Sequence, residues 1–278
     1  GYNGELKIYD NSWNKQKNSN DSYPIYAEKN GVGGVLEEGK DVSRDNNLIM
    51  LEDDLDYVTG DLSKVRIMKG SAVTKDKVDA LAGAAIGNAK YRSLDEAFAA
   101  AEGGDTVTLL ADMTADVVIN KNITLDLGSK TLTGTGVASP ATLTIANGAA
   151  ATVMNGTVLG TANGHYTIQN NGTATFADIT ATAGNTGSSM IDNWGTLTIK
   201  SGTYTGGLNV VKSEEGSTLT INGGTFTLNY ATNGYTGVIF AYGTTTITGG
   251  EFIQDLTTTG RWNHPQVILA GVEAGYPS

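Results

Sequence analysis

One short string recurs along the C-terminal two-thirds of the chain, and this repeat constrains the fold more than any other feature. It reads VMNGTV in its first copy and IKSGTY, INGGTF and ITGGEF in later copies, with a looser copy, FADI. The first residues of the copies are 23, 23, 22 and 26 positions apart: Val153, Phe176, Ile199, Ile221 and Ile247. A propeller blade needs about 40 residues, and the Leu/Asn signature of leucine-rich repeats is missing. The period therefore predicts the coils of a solenoid, whose apolar positions stack on one another.

The segments around the repeat alternate threonine with leucine or isoleucine. The string TLTI occurs at 142–145, 196–199 and 218–221. Such alternation places the aliphatic side chains on one face of a strand and the threonines on the other. Asn-Gly pairs between the strands supply the positive φ that turns need. We predict an all-β protein with a right-handed parallel β-helix. The alternative is an antiparallel β-sandwich, because an Asn-Gly pair is also a hairpin signal.

A helix that suits the end of a solenoid precedes the first coil. Ser93 and Glu96 have the spacing of a capping box, in which each side chain accepts a hydrogen bond from a backbone amide of the first turn. An apolar stripe follows at helical spacing: Leu94, Phe98 and Ala101. A Gly-Gly pair ends the helix, and residues 105–110 predict the first strand. We expect the helix to cover the open edge of the first coil.

Charge divides the chain into two regions. Residues 1–104 contain 13 Lys/Arg and 18 Asp/Glu, whereas residues 105–278 contain 5 and 11. We expect residues 89–278 to form the β-helix domain. Residues 1–88 predict a small mixed α/β segment whose apolar clusters are too small for an independent core. Such a segment suits either an anchor that docks on a partner or an irregular cap of the solenoid.

Local patterns in the N-terminal segment predict short elements. Three strands and one helix are expected, at 6–9, 23–26, 65–68 and 74–86, and an acidic stretch has apolar residues at near-helical spacing at 46–61. The chain opens with Gly1 rather than methionine and stops abruptly at Ser278. We therefore expect a processed or excised segment of a longer product, with more chain to follow.

The start of the repeat region resembles a known family. YRSLDEAFAAAEGGDTVTLLADMTADVVINKNITLDLGSKTLTG, at 91–134, resembles the opening of pectate-lyase-like β-helix proteins. Bacterial surface proteins and phage fibre or tailspike proteins use the same module. GTLTIKSGTYTGG and STLTINGGTFTL, farther along, are similar to repeats of the non-enzymatic surface and virion members. The resemblance covers residues 89–270 and implies the fold; it says little about activity.

No string in the chain matches a known catalytic or cofactor motif. Cysteine is absent, and His165 and His264 are far apart in sequence, so we predict neither a metal site nor a cofactor. The net charge of −11 repels a phosphate backbone, so we expect no nucleic-acid partner. No apolar run approaches the length that spans a bilayer, so we expect no insertion into a membrane.

A glycosidase of this fold would need paired carboxylates on neighbouring coils, and a lyase would also need a basic residue. The lysines of the repeat region, Lys212 among them, are predicted to be solvated. Asp178 and Asp192 are 14 residues apart, less than one coil, so they need not face each other. We predict turn or surface roles for both, and a solvated turn at Glu214 and Glu215.

Aromatic residues are the remaining candidates for binding. Tyr204, Phe226 and Phe252 share one repeat position, so we expect them to stack. The aromatics outside that position are our candidates for binding a glycan or a partner: Trp194, Tyr230, Tyr235, Tyr242 and Trp262. The Thr-x-Thr strings are also typical of ice-binding solenoids, which need a flat and regular array. The drifting repeat predicts that these threonines form no strict ladder.

These features predict a non-enzymatic structural or attachment protein. The leading hypothesis is a phage virion fibre or appendage that docks on the particle through residues 1–88 and projects the β-helix. We expect a homo-oligomer, because closed symmetry stabilises a shaft. A bacterial cell-surface adhesin with the same solenoid is the alternative, and a polysaccharide lyase or glycosidase is the second alternative. The expected location is a virion or the outside of a cell.

Overall fold

The computed structural model describes residues 60–64, 74–136, 141–162, 166–229, 237–254 and 266–270. The chain divides into two compact units, Gly1–Ala97 and Phe98–Ser278. The strands predicted at 6–9, 23–26 and 65–68 lie outside the described residues, as does nearly all of the acidic stretch.

The described part of the first unit contains only short elements. A 3₁₀ turn, Leu62–Lys64, is followed by helix α1, Lys75–Asp79, and by the antiparallel strands β1, Ala84–Ile86, and β2, Ala89–Tyr91. The helix predicted over 74–86 is therefore wrong in its second half. Gly83 donates its amide to the carbonyl of Tyr91 (2.8 Å), so pairing between strands replaces the helix after that glycine.

Helix α2, Leu94–Ala100, has the predicted capping box with one difference. The Ser93 hydroxyl accepts a hydrogen bond from the Glu96 amide (3.2 Å), as predicted. The Glu96 carboxylate accepts from the amide of Arg92 (3.2 Å), one residue before the position expected of a capping box. At the other end, the Lys121 ammonium donates to the carbonyl oxygens of Ala99 and Ala101 (2.8 and 2.7 Å). This lysine complements the negative end of the helix and is not merely solvated.

The second unit is a β-solenoid of about six turns. Its strands form three parallel sheets along the solenoid. The first sheet contains β3 Thr106–Leu109, β6 Ile123–Asp126, the first halves of β9 Ala150–Leu159 and β11 Thr173–Thr182, β13 Thr196–Ile199, β16 Thr218–Ile221 and β19 Thr244–Ile247. The second contains β4 Met113–Thr114, β7 Thr131–Thr133, the second halves of β9 and β11, β14 Gly202–Thr205, β17 Thr225–Leu228 and β20 Glu251–Gln254.

The third sheet contains β5 Val117–Ile119, β8 Ala141–Ile145, β10 Tyr166–Asn170, β12 Ile191–Asn193, β15 Val211–Ser213, β18 Gly237–Ala241 and β21 Gln266–Ala270. Within the described part of the second unit, every strand pair between successive turns is parallel. The solenoid prediction is confirmed, and the antiparallel sandwich is wrong.

The repeat anchors form one apolar column in the first sheet. Phe176 pairs with Val153 on one side and with Ile199 on the other, and the column continues to Ile221 and Ile247. The first four anchors are fully buried. A second stack lies inside the second sheet, where the Phe226 ring is 4.9 Å from Tyr204 and 5.1 Å from Phe252. Both predicted stacks are confirmed, and they supply the hydrophobic contact between turns.

The chain bends between the first and second sheets at a residue with positive φ. In three successive turns this residue is Ser129, Asn155 or Asp178, with φ of 61°, 60° and 54°. In later turns the positive φ falls one step farther along, for example at Gly202 (φ 123°), where a Cβ atom would overlap the carbonyl oxygen of Ile179. Asn155 therefore forms a corner rather than a hairpin, and the turn role predicted for Asp178 is confirmed.

A polar ladder is buried at the end of the third sheet. The Asn170 amide donates to the side-chain oxygen of Asn193 (2.7 Å), and the Asn193 amide donates to the hydroxyl of Ser213 (3.3 Å). Ser213 in turn bonds the hydroxyl of Ser217 (2.7 Å). The first three of these residues are fully buried and Ser217 is 2% exposed, so the ladder satisfies polar atoms that have no access to water.

Candidate functional site

Polar and aromatic side chains gather on the outer surface of the third sheet. The register places Gln169, Asp192, Lys212 and Phe240 in one column across successive turns. Their neighbours in sequence, such as Ile191, point into the apolar core, so this column faces outward.

A second column lies immediately beside the first, where each strand ends. Backbone hydrogen bonds between turns align its members: Glu214 donates to the carbonyl of Asn193 (2.8 Å) and Tyr242 to that of Ser213 (2.7 Å). Trp194, Glu214 and Tyr242 therefore follow one another, one turn apart. We call the two columns together with Tyr166, which begins β10, the Trp194 face.

Two of the predicted binding residues lie on this face and are accessible. Trp194 is 54% exposed and Tyr242 is 39% exposed. The Tyr242 ring meets the buried Phe240 ring edge-on, with centroids 4.6 Å apart. The other three predicted residues, Tyr230, Tyr235 and Trp262, lie outside the described residues.

Asp192 is fully buried on the Trp194 face, so the predicted turn or surface role is wrong. Its Oδ2 atom accepts hydrogen bonds from the Trp194 indole nitrogen (2.7 Å) and from the Gln169 amide (3.4 Å). Its Oδ1 atom is buried without a hydrogen-bond partner. Burial raises the pKa of Asp192, and the Glu214 charge adds to this; the two hydrogen bonds and the Lys212 charge only partly oppose it.

An ion pair lies beside Asp192 on the next turn. The Lys212 ammonium contacts the Glu214 carboxylate, and the two side chains are 29% and 11% exposed. Burial lowers the pKa of Lys212, but the hydrogen bond and charge of Glu214 outweigh it, so the pKa lies above its ordinary value. The solvated role predicted for Glu214 is therefore wrong, and Lys212 is only partly exposed, whereas Glu215 is exposed as predicted.

The phenol of Tyr166 lies near the same charged groups, and its pKa is raised. Burial raises the pKa of its phenol, and the negative charge of Asp192 raises it further. Glu214 acts in the same direction, and Lys212 opposes it. Asp192 and Glu214 therefore place negative charge near the Tyr166 phenol, which Lys212 partly offsets.

A different polar cluster lies at the corner between the first and second sheets. The Asn155 amide donates to the Asp126 carboxylate (3.2 Å), and the Ser201 hydroxyl donates to the Asp178 carboxylate (2.8 Å). These bonds brace neighbouring turns. Asp178 lies at this corner in β11 and Asp192 lies in the third sheet, so the structure does not bring these two carboxylates together as a catalytic pair. The described residues contain no group of three or more His, Cys, Asp or Glu that could hold a metal ion.

The threonines of the first sheet form a strict ladder, contrary to the sequence prediction. One column has a threonine in every successive turn: Thr106, Thr124, Thr152, Thr175, Thr198, Thr220 and Thr246. The extra residues of the last repeat fall between β17 and β18, outside the first sheet, so they leave its register intact.

The Trp194 face also has a signal in the sequence, which the search for catalytic motifs and aromatic residues does not detect. The strings IQNNGT and IDNWGT, at 168–173 and 191–196, repeat with the same period as the anchors. Their second positions are Gln169 and Asp192, and their fourth positions include Trp194. Aligning these strings would have placed the three side chains on adjacent turns.

Comparison of the chain with protein-family models, with curated proteins and with solved structures found no match. The fold is a parallel β-solenoid. No helix among the described residues is long and apolar enough to cross a membrane.

Proposed function

We propose that the protein is a non-enzymatic attachment protein whose solenoid presents the Trp194 face to a glycan. The observation that most supports this is the placement of Trp194 and Tyr242 one turn before and one turn after Glu214. Exposed aromatic rings stack on the apolar faces of sugars, and carboxylates accept hydrogen bonds from their hydroxyl groups. The combination supplies both kinds of contact that a sugar needs.

The scaffold suits this role because its strands are rigidly registered. The rings on the Trp194 face are spaced by whole turns of a parallel sheet, about 4.8 Å each. A site built on strands is positioned more precisely than a site on loops. A sugar chain lying along the solenoid would meet Trp194, Glu214 and Tyr242 in order.

We propose that residues 1–88 anchor the protein to a virion, as a fibre or appendage, and that the assembly is a homo-oligomer. The charged N-terminal segment and the resemblance to virion solenoids support this assignment. A bacterial cell-surface adhesin is the alternative. Sedimentation of the intact chain tests the oligomer, and flanking capsid or tail genes would distinguish the virion from the cell surface.

Glycoside hydrolysis is the second candidate function, because two carboxyl groups in different environments lie on neighbouring turns. Asp192 is buried and its pKa is raised, whereas Glu214 is paired with Lys212. Such a difference is typical of an acid and a base in glycosidases. Attachment is favoured because Asp192 has no solvent exposure, whereas a general acid must lie within hydrogen-bond reach of the glycosidic oxygen.

A glycan array probed with the labelled intact chain tests the proposal. We expect binding to a subset of glycans and a loss of roughly tenfold or more in Trp194→Ala, because buried aromatic anchors dominate interfaces. Val118→Ala is the matched control, since Val118 is also exposed on the third sheet but three turns earlier. Unchanged binding in Trp194→Ala would refute the site. Release of reducing ends from a bound glycan would favour the glycosidase.

A further inference from the structure

The exposed Trp194 ring is tied to the protein through its only polar atom. The indole nitrogen donates to the Asp192 carboxylate at 2.7 Å, and the Trp194 amide donates to the carbonyl of Asn170 at 2.8 Å. Trp194 is 54% exposed, so the residue is only partly packed against the protein. The hydrogen bond to Asp192 therefore restrains the direction in which the flat faces of the indole point.

Asp192 is an unusual residue for a purely structural hydrogen bond. It is fully buried, and its Oδ1 atom has no partner. A buried acceptor without a hydrogen bond destabilises the folded state, and such atoms are rare in proteins. Packing alone does not explain a carboxylate at this position. A role as a strong hydrogen-bond acceptor for the indole N–H group does explain it.

The charged neighbours of Asp192 do not neutralise it. Tyr166 and Gln169 face it from β10, and Lys212 and Glu214 face it from β15 and the residue after it. The single cation, Lys212, is engaged by Glu214. Burial therefore raises the pKa of Asp192, so its carboxyl takes up a proton at a higher pH than a solvated aspartate does.

We propose that Asp192 is a positioning residue that holds Trp194 in its sugar-stacking orientation, and that protonation of Asp192 weakens its hold on the ring. A hydrogen bond to an ionised acceptor is about twice as strong as one between neutral groups. A ring that is held less firmly must be ordered again on binding, which weakens affinity by about two- to tenfold. This inference rests on the proposed function only for its effect on sugar binding.

The motion of the ring can be tested without a ligand. The protein contains three tryptophans, so replacing Trp13 and Trp262 by phenylalanine leaves Trp194 as the sole indole. We expect the fluorescence anisotropy of Trp194 to fall as the pH is lowered towards the ordinary pKa of aspartate, about 3.9, because the pKa of Asp192 lies above that value. In the Asp192→Asn variant, whose neutral amide does not titrate, the anisotropy should be low and independent of pH.

Asp178→Asn is the matched control, because Asp178 is exposed at the corner between the first and second sheets. It should keep the pH profile of the parent. The same profile in Asp192→Asn as in the parent would overturn the proposal, provided that circular dichroism shows both to be folded. If Asp192→Asn does not fold, a parent anisotropy that stays constant over this pH range overturns it equally.

The affinity for neutral oligosaccharides immobilised on the array, measured as a function of pH, then tests whether the orientation of the Trp194 ring affects sugar binding. The parent should bind less tightly in mild acid by the two- to tenfold factor above, and Trp194→Phe, which keeps a ring but has no N–H group, should bind weakly at every pH. A pH-dependent affinity in Trp194→Phe that matches the parent would overturn the role of the hydrogen bond. Absence of all sugar binding together with a normal anisotropy profile would reject the proposed function and leave the positioning role standing.

Discussion

The first and third sheets of the solenoid have the same parallel pairing but very different surfaces. Outside the first sheet, one column is threonine at every turn, from Thr106 to Thr246. Outside the third sheet, successive turns present glutamine, aspartate, lysine and phenylalanine in one column. Repetition is enough to build a stack, since each turn needs only to match its neighbour. The positions that depart from repetition are therefore where a ligand-binding role is best sought.

The largest effect should come from breaking the apolar column inside the first sheet. Phe176→Ala removes a fully buried ring that packs between two turns, and we expect a loss of about 3–5 kcal/mol in the free energy of unfolding. Thr175→Ala, one residue earlier on the outer surface, should cost less than about 1 kcal/mol. Urea denaturation of both variants checks the contrast. Equal losses would mean that the outer threonine ladder contributes as much as the core.

The next effect comes from the corner between the first and second sheets. Gly202→Ala places a Cβ atom against the Ile179 carbonyl and also forces alanine into positive φ, so we expect a loss above about 2 kcal/mol. Gly216→Ala isolates the backbone contribution, because Gly216 has a φ of 79° and nothing within 4 Å of the added atom. It should cost about 1 kcal/mol. Thermal unfolding of the two variants measures the difference, and similar losses would contradict the close approach.

A smaller effect is expected in the polar ladder of the third sheet. Asn193→Ala removes one acceptor of the Asn170 amide and the donor to both the Ser213 hydroxyl and the Thr218 carbonyl. We expect this loss of buried hydrogen bonds to cost about 1–3 kcal/mol. Asn222→Ala is the control, since Asn222 is exposed in the turn after β16. Loss of stability only in the first variant would confirm that the ladder holds the third sheet together. Equal stability would show that water replaces the missing amide.

The sequence predicts the first sheet better than the third for a physical reason. Neighbouring anchors of the first sheet are spaced by a nearly constant number of residues, so alignment of Val153 with Phe176 gives the register directly. In the third sheet, paired residues are 23 positions apart between Asn170 and Asn193 but 20 apart between Asn193 and Ser213. Turns of unequal length shift the register, so the sequence spacing alone does not predict that Lys212 lies beside Asp192.

Burial of charge was the other feature that sequence patterns missed. Asp192, Lys212 and Glu214 have the residue types of a solvated surface, and each was predicted there. The burial of Asp192 and Glu214 and the partial burial of Lys212 depend on which side chains meet across neighbouring turns. The helix predicted over 74–86 failed for a related reason, because residues Ala84–Ile86 pair with Ala89–Tyr91 and this tertiary contact overrides local helix preference.

The smallest effect, and the one most specific to the Trp194 face, is the response of stability to pH. Because the pKa of Asp192 is raised on folding, the folded state binds its proton more tightly than the unfolded chain does. The stability due to this proton is fully present below the ordinary aspartate pKa, about 3.9, and is lost as pH rises through the folded value. Asp192→Asn removes the titration, so its stability relative to the parent should increase as the pH rises through that window.

The new amide group of Asp192→Asn also lacks a partner at the former Oδ1 position, which offsets part of the gain in stability. We therefore expect the free energies of unfolding of Asp192→Asn and the parent to differ by less than about 1 kcal/mol at neutral pH. Denaturation midpoints of the parent, Asp192→Asn and Asp178→Asn, measured at neutral and acidic pH, test the linkage. Only the denaturation midpoint of Asp192→Asn should change relative to that of the parent between the two pH values, since Asp178 is exposed at a corner. A parallel response of both variants would assign the pH dependence to general charge repulsion in a chain of net charge −11 rather than to the buried carboxyl group.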